Sequence, residues 1–438
     1  MELLYGVVNK RGQLVMASDD EDEALAIAKR QARGKQVIQM TSDTEDDPPR
    51  PNPNPSGMAR KAFVKTGLPV VDIRDVLAMS VEEAYWGEVN GRSIQSFMPK
   101  HTQRSDYYPG RPDRSASYFA GGMLTANAKL SKDTQKEVYR TYGIRLRKVI
   151  ETWGLNLSPA QRAWEYVNSP VRVRGALPTV CAGASKECIA GCLVGTGSNR
   201  QGGLDWEGRK FGKGLRIDEL YQFGIKVKYT QALYHNPVGF LRLVVDAIER
   251  KVRARSRQGI AVYIRLNVLS DVPWEELCPG LFQHFRRVQF YDYTKVAGRI
   301  TPPNYNLTFS FSGSNIPLCV SELESGTNVA VVFLNPEGMR KQPVPLRRFW
   351  DRPVLSGDKY DARPIDHRVL HRVDPDADTA VISLYYKLPG SVTGSIRASE
   401  LGSFVVDVYR DPETGLFLAA ETPNQTPGTD GRFWSVRE

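Results

Sequence analysis

Histidine and cysteine are both scarce, five of each in 438 residues. The histidines stand apart at positions 101, 235, 284, 367 and 371. None forms a His-hydrophobe-His pair, which disfavours rolling-circle nuclease chemistry. There is no C-x2-C knuckle of the kind that structural zinc sites use. No G-K-[ST] follows the glycine-rich stretch "GTGSNRQGGLDWEGRKFGKGLR" (195–216), so this is not a phosphate-binding P-loop but a flexible basic loop. Long apolar runs are also missing: even "PVGFLRLVVDAI" (237–248) carries Arg242 and Asp246. No membrane span is therefore expected. The Met1 end lacks a basic region followed by an apolar block, and a cytoplasmic location follows.

The net charge is +10, but unevenly distributed. Residues 1–57 hold 7 Lys/Arg and 10 Asp/Glu, a balance of −3, so the rest carries +13. A basic body of this kind suits a nucleic-acid or phosphorylated partner as well as an ordinary solvated surface. The stretch "SDTEDDPPRPNPNPSG" (42–57) is acidic and then rich in Pro and Asn, and reads as a mobile linker. Before it, residues 1–41 read as a small ββαβ appendage. A hairpin turns at Lys10 to Gly12, Ser18 and Glu21 form a capping box for a helix, and "QVIQM" returns as a strand. Residues 58–410 form the body and 411–438 a largely irregular tail.

Within the body, helical patterns fall at 131–152, 159–167 and 237–257. Runs of β-branched residues at 225–229, 260–268, 288–294, 306–314 and 328–334 read as buried parallel strands. Several pass from apolar residues into a polar cluster: "RLNVLSD", "YDYTK", "FSGSN", "FLN". The carboxyl edge of a parallel sheet is where β/α proteins build their sites. The expected class is α/β, a partial or irregular TIM-like β/α barrel with a small N-terminal α+β appendage. Asn267, Asp271, Asp292, Lys295 and Ser312 should then share one rim.

By the strand period of two, Arg265 and Asn267 fall on one face, where a ligand or a buried network must satisfy them. Asp271 is placed to cap the helix starting near Pro273. Asp292 and Lys295 suit proton or phosphate handling, or an internal ion pair. The hydroxyls of Ser310 and Ser312, with Asn315 beyond, suit phosphate, ribose or carboxylate recognition, or plain sheet packing. "SGDKYDAR" (356–363) reads as a solvated turn, and the arginines of "DAIERKVRARSRQ" (246–258) as a solvated helix end.

The run "TVCAGASKECIAGC" (179–192) gathers Cys181, Cys188 and Cys192. On one continuous helix, the C-x6-C-x3-C spacing would put all three on a single face, as a core stripe would. Pro178, Gly183 and Gly191 favour an irregular loop that wraps thiolates around a metal. Three thiolates suit a [4Fe–4S] cluster with one open iron; zinc would have to recruit His235, Cys278 or Cys319 from elsewhere.

That run, with "KVKYTQALYHNPVGFLRLVVDAI", "YIRLNVLSDVPWE", "VQFYDYTKV..R", "NYNLTFSFSGSN", "SGTNVAVVF" and "VLSGDKYDARPID", resembles a family of phage and prophage proteins known as a domain of unknown function, from about Gly122 to about Lys387. Its cysteine loop and strand endings are similar to those of radical S-adenosylmethionine barrels, although their usual spacing is C-x3-C-x2-C. The resemblance implies an iron–sulfur protein, with S-adenosylmethionine as a cofactor, acting on a nucleotide, nucleic acid or peptide. Two alternatives stay open: a zinc-stabilised nucleic-acid-binding protein of phage replication, and a structural or accessory protein with no metal, each in the host cytoplasm if the chain is phage-encoded.

Overall fold

The structure, a computed structural model, describes residues 4–8, 14–18, 36–40, 66–97, 122–126, 133–158, 179–185, 221–386 apart from 337, 340 and 341, and 404–420. The expected linker, the helix at 159–167, and Cys188 and Cys192 lie outside these residues.

Strands β1 (Leu4–Val8), β2 (Leu14–Ser18) and β3 (Gln36–Met40) form a separate antiparallel sheet in the order β2-β1-β3. The expected hairpin and returning strand are both present. Two short helices follow, α1 (Ile73–Ala78) and α2 (Val81–Trp86). At α2, Ser80 and Glu83 exchange a capping box, satisfying amide groups that the first turn leaves open. A small hairpin, β4 (Glu88–Val89) and β5 (Arg92–Ser93), closes this segment.

The body is one 11-stranded, mostly parallel sheet. Strand β6 (Leu124–Thr125) lies antiparallel to β7 (Ile150–Leu155), and helix α3 (Thr134–Tyr142) precedes β7. Helices α4 (Tyr221–His235) and α5 (Pro237–Ser256) lead to β8 (Ala261–Arg265). After it come short helices α6 (Trp274–Leu277) and α7 (Leu281–His284), β9 (Gln289–Thr294), β10 (Tyr305–Ser310), helix α8 (Ile316–Glu324) and β11 (Val329–Leu334). The chain ends with β12 (Arg348–Phe349), β13 (Arg352–Ser356), helix α9 (Asp366–Val373), β14 (Val381–Tyr385), β15 (Val405–Arg410) and β16 (Phe417–Ala419). In space the strands run β12-β13-β14-β11-β10-β9-β8-β7-β6, with β15 added beside β11 and paired to β16.

From β7 to β11 the chain therefore moves in one direction across the sheet, as in a barrel. Among the described residues, however, β6 and β12 end the row without pairing to each other, so the sheet does not close into a full barrel. Side chains alternate between its faces. Val262, Ile264 and Leu266 join the core beneath α5, which buries every residue from Gly239 to Ile248 except Arg242. Ala261, Tyr263 and Tyr293 join the opposite core with Leu355, Tyr360, Val369 and Ile382. Each fully buried Leu, Ile, Val or Phe contributes roughly 1.5–3 kcal/mol.

Two elements differ from the sequence reading. Residues 225–229 are helical, inside the 15-residue α4, rather than a strand. Val227 and every residue from Tyr229 to Leu233 are buried, so this part of α4 is packed all round rather than along one apolar stripe, and that tertiary burial overrides the β-branched preference of five residues. The helix expected at 131–152 stops at Tyr142, because Gly143 takes a left-handed φ of 72° as its cap, and β7 begins at Ile150.

Candidate functional site at the carboxyl edge of the sheet

Residues 179–185 lie across the carboxyl ends of β8, β9 and β10. The Asp271 amide donates to the Val180 carbonyl at 2.7 Å, and Cys181 makes a parallel bridge with Asp271. The Cys181 thiol, half-buried, donates to the Leu269 carbonyl at 3.6 Å. At Gly183 a Cβ would stand 2.8 Å from the Lys295 Cβ and 3.0 Å from its carbonyl carbon, so only glycine lets the two chains approach this closely. The Ser185 hydroxyl donates to the Ser312 carbonyl at 2.8 Å. The first cysteine of the run thus sits where the strand endings converge.

Beneath this crossing is a buried polar network. Asp292 accepts from the Asn267 amide at 2.7 Å, from Asn267 Nδ2 at 3.2 Å and from the Tyr305 hydroxyl at 2.8 Å. Asn267 Oδ1 accepts from Ser270, the Val272 amide and the Trp274 indole. Arg299 donates through Nε and Nη2 to Glu275, at 2.7 and 2.5 Å, and through Nη1 to Asp271 at 3.3 Å. The second Asp271 oxygen accepts the Lys295 amide at 2.8 Å. Asp271 is consequently not the helix cap it was expected to be; Pro273 holds that position, without a side-chain cap, and Asp271 instead ties the end of β8 to that of β9.

Burial pushes the Asp292 carboxyl up to about 7, against the pull of Arg265, the Asn267 amide, Tyr305 and Arg299. The sign follows from proton counting. Between the ordinary carboxyl value and about 7 the folded chain holds a proton that the unfolded chain has lost, so this group's contribution to stability declines as pH rises through that window. An Asp292→Asn variant is expected to lack that decline. Its stability relative to wild type should improve from pH 4 to 7, with a slope approaching ~1.4 kcal/mol per pH unit. Urea titrations at several pH values measure it, and parallel curves for the two proteins would contradict it.

The strand ends carrying Asn267, Asp271, Asp292, Lys295 and Ser312 lie at one edge of the sheet, with Asn267 and Asp292 buried beneath it. Ser310 and Ser312 shape a turn: Asn315 donates to the Ser310 carbonyl at 3.1 Å and accepts the Ser312 amide at 2.7 Å. Arg265 does not share a face with Asn267, because β8 ends at Arg265 and its alternation ends with it. Arg265 turns to the opposite face, bonding both Asp361 oxygens at 3.1 and 3.3 Å, with its guanidinium 4.6 Å from the Tyr293 ring centre. Tyr291 donates to Asp361 at 2.9 Å, and Arg363 pairs with Asp366. The turn at 356–363 is thus buried rather than solvated, with Asp361 and Arg363 each 1% exposed.

Sequence reading missed Glu275, Arg299 and Tyr305. A cation in "VAGRIT", between two strand patterns, was the available signal. The distant zinc ligands are otherwise engaged. Cys278 and Cys319 are fully buried, and burial pushes both thiols up to about 12. The His235 ring bonds the Arg92 carbonyl at 2.9 Å. Among the described residues no three His, Cys, Asp or Glu side chains gather around a possible metal position, and no helix is long and apolar enough to cross a membrane. No curated protein and no solved structure matches the chain. A family model described as Gene product 88 matches residues 123–381.

Proposed function

The chain belongs to the Gene product 88 family, a phage-type family, and from that premise we propose that it is an iron–sulfur enzyme in which Cys181, Cys188 and Cys192 hold a [4Fe–4S] cluster beside a substrate pocket at the carboxyl edge of an irregular half-barrel. The observation that carries this reading is the course of residues 179–185 across the ends of β8, β9 and β10. The donor set fits. Cys181 is half-buried at the rim, and the core thiols Cys278 and Cys319 are held protonated by burial. The three cysteines of the run then remain as thiolate ligands, leaving one iron open.

When bound, such a cluster supplies single electrons to a small ligand at its open iron, S-adenosylmethionine being the cofactor class that the sequence resemblance implies. The chain's own residues have separate tasks. Gly183 and Ser185 fix the loop against β9 and β10. Asp271 holds the loop through its amide and the end of β9 through its carboxylate, and Asp292 holds a proton near neutrality. Lys295, half-buried at the end of β9, supplies positive charge for an anionic group of a nucleotide, nucleic acid or peptide substrate.

Anaerobic purification followed by metal and sulfide analysis tests the reading. The expected protein is brown, with about four irons and four sulfides per chain, and Cys181→Ser loses most of them while Cys278→Ser does not. A colourless protein with one tightly held zinc would replace the proposal with a zinc-stabilised nucleic-acid-binding protein. A metal-free protein would overturn both.

A further inference from the structure

The opposite edge of the sheet carries a second feature. Three connecting segments arrive there side by side: "IRLRKV" (144–149) before β7, "RKVRARSRQG" (250–259) before β8 and "FRRV" (285–288) before β9. Together they contain ten Lys or Arg and no Asp or Glu. Strand pairing places their entry points next to one another. Ile150 lies opposite Ala261, and Tyr263 opposite Gln289. The strands that they feed are therefore neighbours, with Lys148 two residues before Ile150 and Arg287 two residues before Gln289. The Ala261 amide donates to the Val149 carbonyl at 2.9 Å. Neighbouring strands lie about 4.8 Å apart, so the three cationic segments enter the sheet at adjacent positions along one edge.

Helix-dipole compensation accounts for charge in the last turn of α5. It does not account for Arg145, Lys148 and Arg287, which lie outside that helix and are exposed. Internal pairing removes part of the charge: Arg250 bonds Asp246, Arg255 bonds Glu151 at 2.6 Å, and Lys251 lies over the Trp153 ring. Arg253 and Arg257 are exposed beside them. Arginine guanidinium groups match phosphate oxygens in pairs. An exposed aromatic accompanies the cations: Tyr139 of α3 is 50% exposed, with the Arg145 guanidinium 5.4 Å from its ring centre. Arginine with a stacking aromatic is the pairing that binds single-stranded nucleic acid. A membrane surface would call for a cluster of large exposed apolar side chains, whereas Val149 stands alone among these segments in that respect.

We propose that the amino edge of the sheet, centred on Arg145, Arg253, Arg257 and Arg287, binds the phosphate backbone of single-stranded nucleic acid, with Tyr139 stacking on a base. This site lies at the far end of the strands from the cysteine loop and does not require a metal there.

Fluorescence anisotropy with a labelled oligonucleotide and the full chain tests it. Binding is expected to weaken as salt rises, with a logarithmic slope of about −0.7 for each phosphate neutralised. Arg253→Gln/Arg257→Gln/Arg287→Gln should weaken it at least tenfold and reduce the slope by about 2, since each arginine neutralises about one phosphate. Tyr139→Ala should weaken single-strand binding without changing the slope. Circular dichroism checks that the exposed substitutions leave the fold intact, and Arg253→Gln alone, with a slope change of about 0.7, serves if the triple variant does not fold. Unchanged affinity in the variants, no binding even at low salt, or binding to phosphatidylserine vesicles in preference to the oligonucleotide would each overturn the proposal. Iron content is measured in parallel, so this site and the cysteine reading succeed or fail independently.

Discussion

Replacing Arg299 with methionine is expected to destabilise the protein by about 3–5 kcal/mol. The guanidinium is 1% exposed and is the shared partner of Glu275 and Asp271, themselves 6% and 8% exposed at their side chains. Removing it strands two carboxylates where water cannot reach them, which costs far more than the ion pairs gain over an apolar substitute. That asymmetry makes the prediction specific. Arg299→Met/Glu275→Leu should recover much of the loss, because one stranded charge is gone and the Asp271 carboxylate keeps the Lys295 amide. Arg299→Lys should fall between, keeping the charge but losing the paired donors to Glu275. Urea unfolding measures all three. A loss below about 1 kcal/mol in the single variant, or a double variant worse than the single, would mean that this network is hydrated and does not tie the strand ends together.

The second large effect lies on the other face. Asp361→Asn should cost a similar amount, about 3–5 kcal/mol, because Arg265 loses its carboxylate while Arg363, wholly buried, remains close by. Here the charges balance in two pairs, Arg265 with Asp361 and Arg363 with Asp366. The Tyr291 hydroxyl, which burial and Asp361 together push well above its ordinary value, donates into the same carboxylate. Since this cluster belongs to the face opposite the one covered by α5, Asp361→Asn is expected to lower stability without altering the metal content of protein purified in the cold. A variant as stable as wild type, or one that folds normally but has lost its metal, would contradict the separation of the two faces.

How much of this was legible in the sequence depended on how far apart the cooperating residues lie. The parallel strands β8 to β11 showed themselves through continuous β-branched runs, since burial on both faces leaves few polar positions. Their polar endings were equally visible, and Asn267, Asp271, Asp292, Lys295 and Ser312 do gather at one edge. What the sequence concealed was which way each side chain turns once regular alternation stops. Arg265 and Asn267 are two positions apart, yet the end of β8 falls between them and sends one to each face. Asp271 looked like a cap because a short helix follows it; its partners Lys295 and Arg299, 24 and 28 residues away, are set by tertiary structure alone. In the same way, the turn at 356–363 carries every local mark of exposure, and only the packing of Tyr360, Asp361 and Arg363 under the sheet buries it. The cationic edge had been legible only as one charged helix end, because its other two segments join it through strand register.

The most direct test of the central claim, that the cysteine run is a metal-holding loop on the carboxyl edge, is anaerobic alkylation of the native chain with iodoacetamide, read by peptide mass spectrometry before and after chelation. Cys181, Cys188 and Cys192 are expected to be protected together while metal is bound and to become reactive together once it is removed. Cys278 and Cys319, fully buried in the core, should stay unreactive until the protein is unfolded. If the three thiols of the run react independently of one another, or if Cys181 stays as unreactive as Cys278 whether or not metal is present, the run is packing rather than ligation and the enzyme reading falls with it.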